Sequence, residues 1–501
     1  MYTIVPPTTV PPTTVPPTTV PPTTVPPTIV PPRAERSPVF NCDELREAIS
    51  EGEVLVPGDD GYVVSAVVVK PISAIEVSAA VKFAVSSNLP LTVCGGGHST
   101  SGTSSSEGMV IHLGNMRKVE INENSMTVSF DGGCLWGDVD SALEARGLAT
   151  VGGAVNHTGV GGLILGGGHG WLTAKHGLTI DNLLSAQIVT ADGSILEASE
   201  TQNPDLFWAI RGAGAQFGVV TRFTSRVNKQ GKVWSGTLMF EHSKLPKLVA
   251  FANDFHNRNG REGHCLTIGV GHTLDGATRI LSAIPLYHGP EEEAKIYFAE
   301  LLSIGPIVDC MGMMSIAQVN TLQNPMSEYG LRRLQGSANI TMPLQTESLQ
   351  QIADAIWTFH DLYPDVKVCV MAIELFPTYK LREIPQDATA YANRGEYYDA
   401  VPFFGWEDPG LDNIVRQFNS KLCTNIRYLN GYNRSGHDGG GNSKQAPVGR
   451  YINMVNEPLR PDEAYGINWE RLRDVKKKFD PGNVFHKWHG VGAGGKEEPT
   501  G

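Results

Sequence analysis

Two glycine-rich segments constrain the fold of this chain more than any other feature of its sequence. In the first, a β-rich run, Leu91–Cys94, leads into three consecutive glycines, His98 and small hydroxyl residues. The second covers residues 152–170, and nine of its nineteen residues are glycine. So much glycine costs entropy, roughly 0.5–1 kcal/mol per residue relative to alanine in regular structure. Binding of a large, flat ligand against the backbone would offset that cost. For either segment taken alone, an ordinary glycine-rich loop is the alternative.

The first segment has the chemistry of an anion site. Consecutive glycines let backbone N–H groups converge on an anion, and the hydroxyls of Ser99, Thr100 and Ser101 add donors, so a pyrophosphate fits. Two common nucleotide motifs are absent. Gly159-Val-Gly161 is followed by Ile164 where a dinucleotide fingerprint needs its third glycine, and no Gly-Lys-Ser/Thr ending of a P-loop occurs. A Rossmann dehydrogenase and a P-loop ATPase are therefore disfavoured.

Four sequence blocks in order resemble one family of flavoproteins. Gly-Gly-His-Ser after a strand resembles the covalent flavin-attachment segment of the vanillyl-alcohol oxidase superfamily, and 159–182 is similar to its second flavin loop. The run Phe207–Val220 resembles a block of hydroxynicotine oxidases and fungal oligosaccharide oxidases. Tyr451-Ile-Asn453 and Asp480–Phe485 resemble the terminal block of berberine bridge enzyme-like proteins. The chain is thus identified, by resemblance, as a berberine bridge enzyme-like FAD-linked oxidoreductase.

The resemblance implies which residues bind FAD. His98 would bond the C8 methyl of the isoalloxazine, and Val219 would lie near the adenine. Relatives with a second flavin linkage carry a cysteine where this chain has Val155, so a single linkage through His98 is expected. The full set that the resemblance assigns to the cofactor is Gly95, Gly96, Gly97, His98, Ser99, Gly153, Thr158, Gly159, Gly162, Gly166, Gly167, Gly170, Val219 and Asn453.

Three further positions bear on the chemistry: two differ from the family pattern, and the third stands where relatives influence the reaction. Cys94 replaces an arginine that is common before the first glycines, and His176 replaces a tyrosine near the substrate side of the flavin. Thr158 stands where relatives influence access of dioxygen. Oxidase and dehydrogenase behaviour therefore both stay open.

The chemistry that the resemblance implies is a two-electron oxidation of a small organic substrate: an alcohol, an amine or a phenolic secondary metabolite. Hydride would pass to flavin N5 while a base takes a proton, and dioxygen would reoxidise the flavin. The base candidates are Tyr451 and His176, with Glu374 and Tyr391 as possible pocket groups on the middle domain. A tyrosine needs its high pKa lowered before it can act as a base, and Tyr451 could equally be a packed strand aromatic.

Two alternatives keep the same fold. One is an oxidative cyclase of secondary metabolism, in which oxidation triggers ring closure. The other is a non-catalytic flavin-binding relic, which the intact His98 and glycine blocks disfavour. An oligosaccharide oxidase is less favoured, because relatives of that type carry the cysteine that is missing at Val155.

Hydrophobic periodicity predicts a mixed α+β fold. The resemblance implies a two-subdomain FAD-binding domain of the PCMH type and an α+β substrate domain whose antiparallel sheet is covered by helices. The expected boundaries are a Val-Pro-Pro-Thr-Thr repeat tail over 1–37, the FAD domain over 38–232, the substrate domain over 233–445, a returning segment over 446–490 and a flexible tail over 491–501. Elements predicted one by one include helices over 74–87, 291–302 and 347–362, and strands over 266–270, 366–374 and 451–454.

Composition limits the partners and the compartment. The formal charge of −12 without a basic run disfavours nucleic acid, and no apolar stretch approaches the ~18–20 residues that span a bilayer. Seven scattered cysteines suggest no disulfide scaffold, and no metal site is expected because the histidines lack ligand spacing. The oligomeric state is open. No secretory signal is visible, so the sequence as given reads as cytoplasmic, or as secreted if the true start differs.

Overall fold

The computed structural model describes residues 42–57, 59, 65–258, 262–273, 275–327, 329–431 and 448–492. The predicted repeat tail over 1–37 and residues 493–501 of the predicted C-terminal tail lie outside this range. Within it, no helix combines the length and the apolar character that crossing a bilayer requires.

The described strands are β1 (Glu53–Leu55), β2 (Val67–Lys70), β3 (Leu91–Cys94), β4 (Met109–His112), β5 (Val119–Asn122), β6 (Thr127–Asp131), β7 (Leu148–Ala149), β8 (Leu183–Val189), β9 (Ile195–Ser199), β10 (Val219–Arg226), β11 (Asn228–Lys229), β12 (Val233–Ser235), β13 (Leu238–Glu241), β14 (Cys265–His272), β15 (Arg279–Tyr287), β16 (Val308–Asp309), β17 (Gly312–Met314), β18 (Arg332–Gln335), β19 (Ala338–Ile340), β20 (Val368–Leu375) and β21 (Tyr398–Trp406).

The described α-helices are α1 (Asp43–Ala48), α2 (Ala74–Ser86), α3 (Trp136–Glu144), α4 (Val160–Leu165), α5 (Thr173–His176), α6 (Thr179–Asn182), α7 (Pro204–Ala213), α8 (Leu245–Arg258), α9 (Glu291–Tyr297), α10 (Ala299–Ser303), α11 (Ile316–Val319), α12 (Asn324–Ser327), α13 (Thr346–Leu362), α14 (Tyr379–Arg382), α15 (Asp412–Asn430), α16 (Pro461–Tyr465) and α17 (Trp469–Phe479).

A small sheet near the N-terminus presents the first glycine segment. Its strand order is β1-β2-β4-β3, and the β2–β4 and β4–β3 pairs are parallel. Helix α2 packs on it and begins at Ser73, whose hydroxyl accepts from the Glu76 N–H. Glu76 is buried but satisfied, since its carboxylate accepts the N–H groups of Glu51, Gly52 and Ile72. The predicted strand Leu91–Cys94 is confirmed, and the glycines follow directly from its C-terminal end.

A second, antiparallel sheet has the order β5-β6-β10-β8-β9. Its core is continuous with α3, α4 and α7, and it also includes buried residues of α17 from the C-terminus. The C-terminal segment therefore completes the core of the N-terminal half rather than extending the middle of the chain.

The middle of the chain forms a ten-stranded sheet in which the main order is β16-β13-β15-β14-β20-β21-β18. Helices α8, α13 and α15 cover one face, and Leu266, Ile268 and Val270 of β14 point into the shared core. The alternate residues Thr267 and Gly269 border a cavity on the other face. The predicted antiparallel sheet covered by helices is confirmed, as are the predicted helices over 74–87 and 347–362, within one residue at each end.

Two predicted elements are wrong. The helix expected over 291–302 is two helices, because Phe298 takes non-helical angles (φ −100°, ψ 16°) and inserts its ring into the aromatic core beside Trp234. The strand expected over 451–454 is a turn, in which Met454 N–H donates to the Tyr451 carbonyl. There, the side chain of Asn453 donates to Leu163 O, so the segment crosses α4 instead of pairing with a strand.

Candidate functional site

A cavity of about 590 Å³ lies between the glycine segments and the uncovered face of the ten-stranded sheet. This volume is within the ~300–1,000 Å³ typical of ligand sites. Residues of the C-terminal segment, such as Tyr451 and Asn453, line it as well. Three distant parts of the sequence therefore meet at one cavity.

The two glycine segments contact each other backbone to backbone. A Cβ on Gly96 would lie 2.5 Å from the Gly159 nitrogen, and a Cβ on Gly159 would lie 2.4 Å from the Gly96 nitrogen. Neither position has room for a side chain. The phenol of Tyr329 donates to Gly96 O at 2.6 Å and fixes the first segment from outside.

Other glycines of the second segment serve close packing against the protein. A Cβ on Gly166 would lie 2.0 Å from Asn453 Oδ1, and one on Gly167 would lie 2.6 Å from the Tyr391 ring. By contrast, a Cβ on Gly162 would meet no protein atom within 4 Å, and Gly162 borders the cavity. The expectation that all of these glycines face a flat ligand is therefore too simple, because some of them allow close packing against other parts of the protein.

His98 follows the first glycines and lines the cavity. Its Nε2 is buried and has no hydrogen-bond partner among the described residues. Burial, with the nearby His157 and Arg333, lowers the pKa of His98 to about 4. The ring is therefore neutral at physiological pH, the form in which an imidazole nitrogen is nucleophilic.

The hydroxyls beside His98 divide between two tasks. Thr100 and Ser101 donate to Asn456 Oδ1 at 2.9 and 2.8 Å, so they fasten the loop to the C-terminal segment. Ser99 and Ser101 line the cavity, whereas Thr100 does not. The expectation that all three hydroxyls serve an anion is thus corrected for Thr100.

Tyr451 is almost completely buried against the cavity wall. Asn453 Nδ2 donates to its hydroxyl at 3.0 Å, and its ring lies 6.4 Å from His169 and 6.3 Å from Tyr391, centroid to centroid. Burial raises the pKa of Tyr451 above its ordinary value. The side chain is accordingly a neutral phenol at physiological pH.

On the sheet side, Glu374 and Asp399 are directly opposite each other in the β20–β21 pair. Glu374 Oε2 lies 3.7 Å from His169 Nδ1, and Asn339 donates to Asp399 at 2.6 Å. Burial alone would lower the pKa of His169, but Glu374 and Asp399 outweigh it and raise that pKa. Burial, only partly offset by His169, raises the pKa of Asp399 to about 6. We call His169, Glu374 and Asp399 the buried charge cluster.

The structure brings many of the sequence-predicted site residues to one cavity. Those that line it are Gly95, Gly96, Gly97, His98, Ser99, Thr158, Gly159, Gly162, Gly166, Glu374, Tyr451 and Asn453. Those that do not line it are Gly153, Gly167, Gly170, His176, Val219 and Tyr391.

Two of the residues outside the lining bear on catalysis. His176 ends the short helix α5, and its backbone carbonyl accepts from Asn182. Tyr391 packs behind Gly167 and Tyr451. Their positions disfavour both as groups that touch a substrate.

Sequence reasoning missed Asp399 and gave no role to His169. Asp399 lies in the run Tyr398-Asp-Ala-Val-Pro, and a lone acidic residue in a largely apolar strand was a usable signal. Its partnership with Glu374 depends on strand register, which the sequence alone does not reveal.

The cavity fits FAD on grounds of its own. It offers the unpartnered His98 Nε2, an open backbone surface at Gly162 and glycine N–H groups at the end of a strand. Residues 65–199 match the family model described as "FAD binding domain", and residues 450–492 match that described as "Berberine and berberine like".

Known proteins resemble the chain over most of its length. The FAD-linked oxidoreductase pgmH of Aspergillus terreus is 36% identical over 419 residues, which cover 81% of this chain and 84% of that protein. The fold matches 6-hydroxy-D-nicotine oxidase of Arthrobacter nicotinovorans with a TM-score of 0.72 at 22% identity, covering 88% and 98% of the two chains. It also matches BBE-like 1 of Physcomitrella patens with a TM-score of 0.75 at 20% identity, covering 90% and 100%.

Proposed function

This chain belongs to the berberine bridge enzyme-like family of FAD-linked oxidoreductases, and from that premise we propose that it removes two electrons from a small, largely apolar alcohol, amine or phenol, with Glu374 as the base. The observation that carries the proposal is that His98 and Glu374, from distant parts of the sequence, border one cavity. When bound, FAD supplies the hydride acceptor at N5, with dioxygen as the proposed reoxidant.

The cofactor would be held at the glycine side. We propose a single covalent link through His98, supported by its neutral ring and its unpartnered Nε2. Val155 borders the cavity where a second link would need a cysteine. We further propose the division into an FAD domain over 38–232, a substrate domain over 233–445 and a returning segment over 446–490. Its support is that the ten-stranded sheet has a core of its own, while Leu381, Ala390 and Tyr391 join the core of the N-terminal half.

Glu374 is the base that the contacts favour. Its carboxylate borders the cavity and faces His169, whose raised pKa lets it carry a compensating positive charge. Tyr451 is the weaker candidate because burial raises its pKa, which disfavours a phenolate. The neutral phenol of Tyr451 would instead orient a substrate hydroxyl or amine by a hydrogen bond.

The sheet-side lining supports a substrate with an apolar body. Met239, Ile284, Val370 and Phe403 contribute apolar side chains to this wall, and Thr237, Thr267 and Ser282 contribute hydroxyls. Such a wall suits an aromatic or alicyclic compound with one oxidisable polar group near Glu374.

The test is anaerobic reduction of the purified yellow protein. Alcohols, amines and phenols are added in turn, the flavin absorbance is followed, and peroxide is measured after air is admitted. Bleaching by one class followed by peroxide is the expected result, whereas bleaching without peroxide would replace the oxidase proposal with a dehydrogenase. If dithionite bleaches the flavin but no compound of these classes does, the proposed substrate class is wrong.

A further inference from the structure

A second group of potential ligands lies at one edge of the ten-stranded sheet. His272 ends strand β14, and His360 and Asp361 lie in the last turn of helix α13. The closest ligand atoms of the three side chains all lie within 4.8 Å of one another. The group is separate from the buried charge cluster, because His272 has the same parity along β14 as the core residues Ile268 and Val270.

The two imidazoles are buried without the hydrogen bonds that such groups normally make. The side chain of His272 is 5% exposed, and neither of its ring nitrogens has a hydrogen-bond partner among the described residues. His360 Nε2 is likewise buried and without one in that part of the chain. The rings stack with centroids 3.9 Å apart. Unsatisfied buried nitrogens cost free energy unless something else binds them.

The donor set matches a transition-metal ion. Two imidazole nitrogens and one carboxylate oxygen are common ligands of Zn²⁺, with the fourth position left to water. Asp361 Oδ1 lies 3.9 Å from His272 Nε2, and the other carboxylate oxygen pairs with Arg279, which orients the group.

We propose that His272, His360 and Asp361 bind one divalent transition-metal ion of the Zn²⁺ class. The ion would tie the end of β14 to the end of α13 on the helix-covered face of the sheet. The ligands come from positions 272 and 360–361, so the site has no short sequence signature. The proposal concerns the substrate-side sheet and does not depend on the identity of the substrate.

The experiment is calorimetric titration of the chelator-treated, flavin-loaded protein with ZnCl₂, together with thermal unfolding with and without Zn²⁺. Four proteins are compared: wild type, His272→Ala, Asp361→Asn and the control His256→Ala. His256 is a partly buried histidine of the same sheet-and-helix unit, but its Nδ1 already bonds the Tyr398 hydroxyl at 2.8 Å. Asp361 is half-exposed, so Asp361→Asn tests the site without risking the fold.

Wild type and His256→Ala should bind one Zn²⁺ and melt at a higher temperature with it, because a ligand that binds only the folded state stabilises it. Both site variants should bind at least about tenfold more weakly and lose that shift. Unchanged Zn²⁺ affinity in His272→Ala and Asp361→Asn would overturn the proposal and assign the ion elsewhere, for example to the buried charge cluster. Absence of Zn²⁺ binding to wild type would overturn it outright.

Discussion

At the scale of single residues, Glu374 carries the proposed proton transfer. Two carboxylates lie opposite each other at Glu374 and Asp399, in a wall where His169 is the nearest cationic partner that the contacts show. Like charges opposite each other on a sheet are destabilising, so this pair is kept at a cost in stability. Such a cost is typical of functional sites.

Glu374→Gln should reduce the rate of flavin reduction by roughly 10²–10⁴-fold, the usual contribution of a positioned base. Flavin content should not change, because Glu374 lies on the sheet side of the cavity. Stopped-flow reduction by an identified substrate measures the rate. The matched control is Glu241→Gln, an exposed glutamate of the same sheet, and equal rates in both variants would rule out Glu374 as the base.

Asp140 offers a pH-dependent test of stability. It is buried in α3, where Asn320 donates to it at 2.7 Å. Burial, only partly offset by that bond, raises its pKa from 3.8 to about 7. The folded protein keeps the proton that the unfolded chain loses, so this residue's contribution to the free energy of unfolding falls as pH rises from about 4 to about 7.

Asp140→Asn cannot titrate, so its stability relative to wild type should increase with pH across that window and then level off. The slope is at most about 1.4 kcal/mol per pH unit. Denaturant unfolding of both proteins between pH 4 and pH 8 measures the difference. A difference that does not vary with pH would contradict the assigned pKa.

Where backbone chemistry decided the position, the residues predicted from the sequence line the cavity. His98 and Gly162 are examples, because a glycine run after a strand has few other uses. Sequence reasoning failed where side-chain direction or strand register decided. His176 was expected near the substrate but lies outside the cavity lining, and Asp399 was not anticipated at all.

At the scale of elements, the crossing of the two glycine segments makes opposite demands on Gly159 and Gly162. Gly159→Ala should destabilise the whole protein, because its Cβ would lie 2.4 Å from a backbone atom of Gly96. Gly162→Ala should leave the fold intact or stabilise it by up to about 1 kcal/mol, because Gly162 is inside helix α4. Its methyl group would nevertheless project toward the cavity and lower the flavin content.

Thermal unfolding and the ratio of flavin to protein absorbance separate the two effects. Full flavin content in Gly162→Ala would mean that this surface does not face the cofactor. Normal stability in Gly159→Ala would mean that the segments do not cross as described.

The C-terminal turn Asp480–Phe485 is held by a buried ion pair. Lys476 Nζ donates to Asp480 at 2.7 Å and to Gln216 O at 2.6 Å, and the Asp480 carboxylate accepts from the N–H groups of Val484 and Phe485. Both charged side chains are completely buried. The motif Lys476-x-x-x-Asp480-Pro-Gly thus fastens the last helix to the segment that contains Gln216.

Asp480→Ala should cost about 3–5 kcal/mol, because it leaves the Lys476 charge buried and unpaired. Chemical denaturation measures the loss. Asp474→Ala removes the carboxylate of an exposed pair with Lys477 on the same helix and should have little effect. Similar losses in the two variants would show that burial of the Asp480 pair is not what matters.

Among the elements, regular helices and central strands followed their sequence patterns. The exceptions came from tertiary contacts: Phe298 breaks a predicted helix to fill the aromatic core, and Asn453 draws a predicted strand across α4. Propensity cannot anticipate either, since both outcomes depend on residues far away in the chain.

At the scale of the whole molecule, the order of the sequence blocks was enough to predict the architecture, and the cavity lies where the blocks meet. The substrate wall could not be predicted in the same way. It is built by residues of β13, β14, β15, β20 and β21, so its composition emerges only when the registers of these strands are known. The substrate class is accordingly argued from the lining and not from a motif.

The central claim is that the flavin is tethered through His98 in this cavity. Acid precipitation of the purified protein tests it most directly, with His98→Ala as the comparison. The account predicts that yellow flavin stays with the wild-type pellet and is released into the supernatant from His98→Ala. Release of the flavin from the wild type would contradict the covalent link, and His98 would then be only a residue that lines the site.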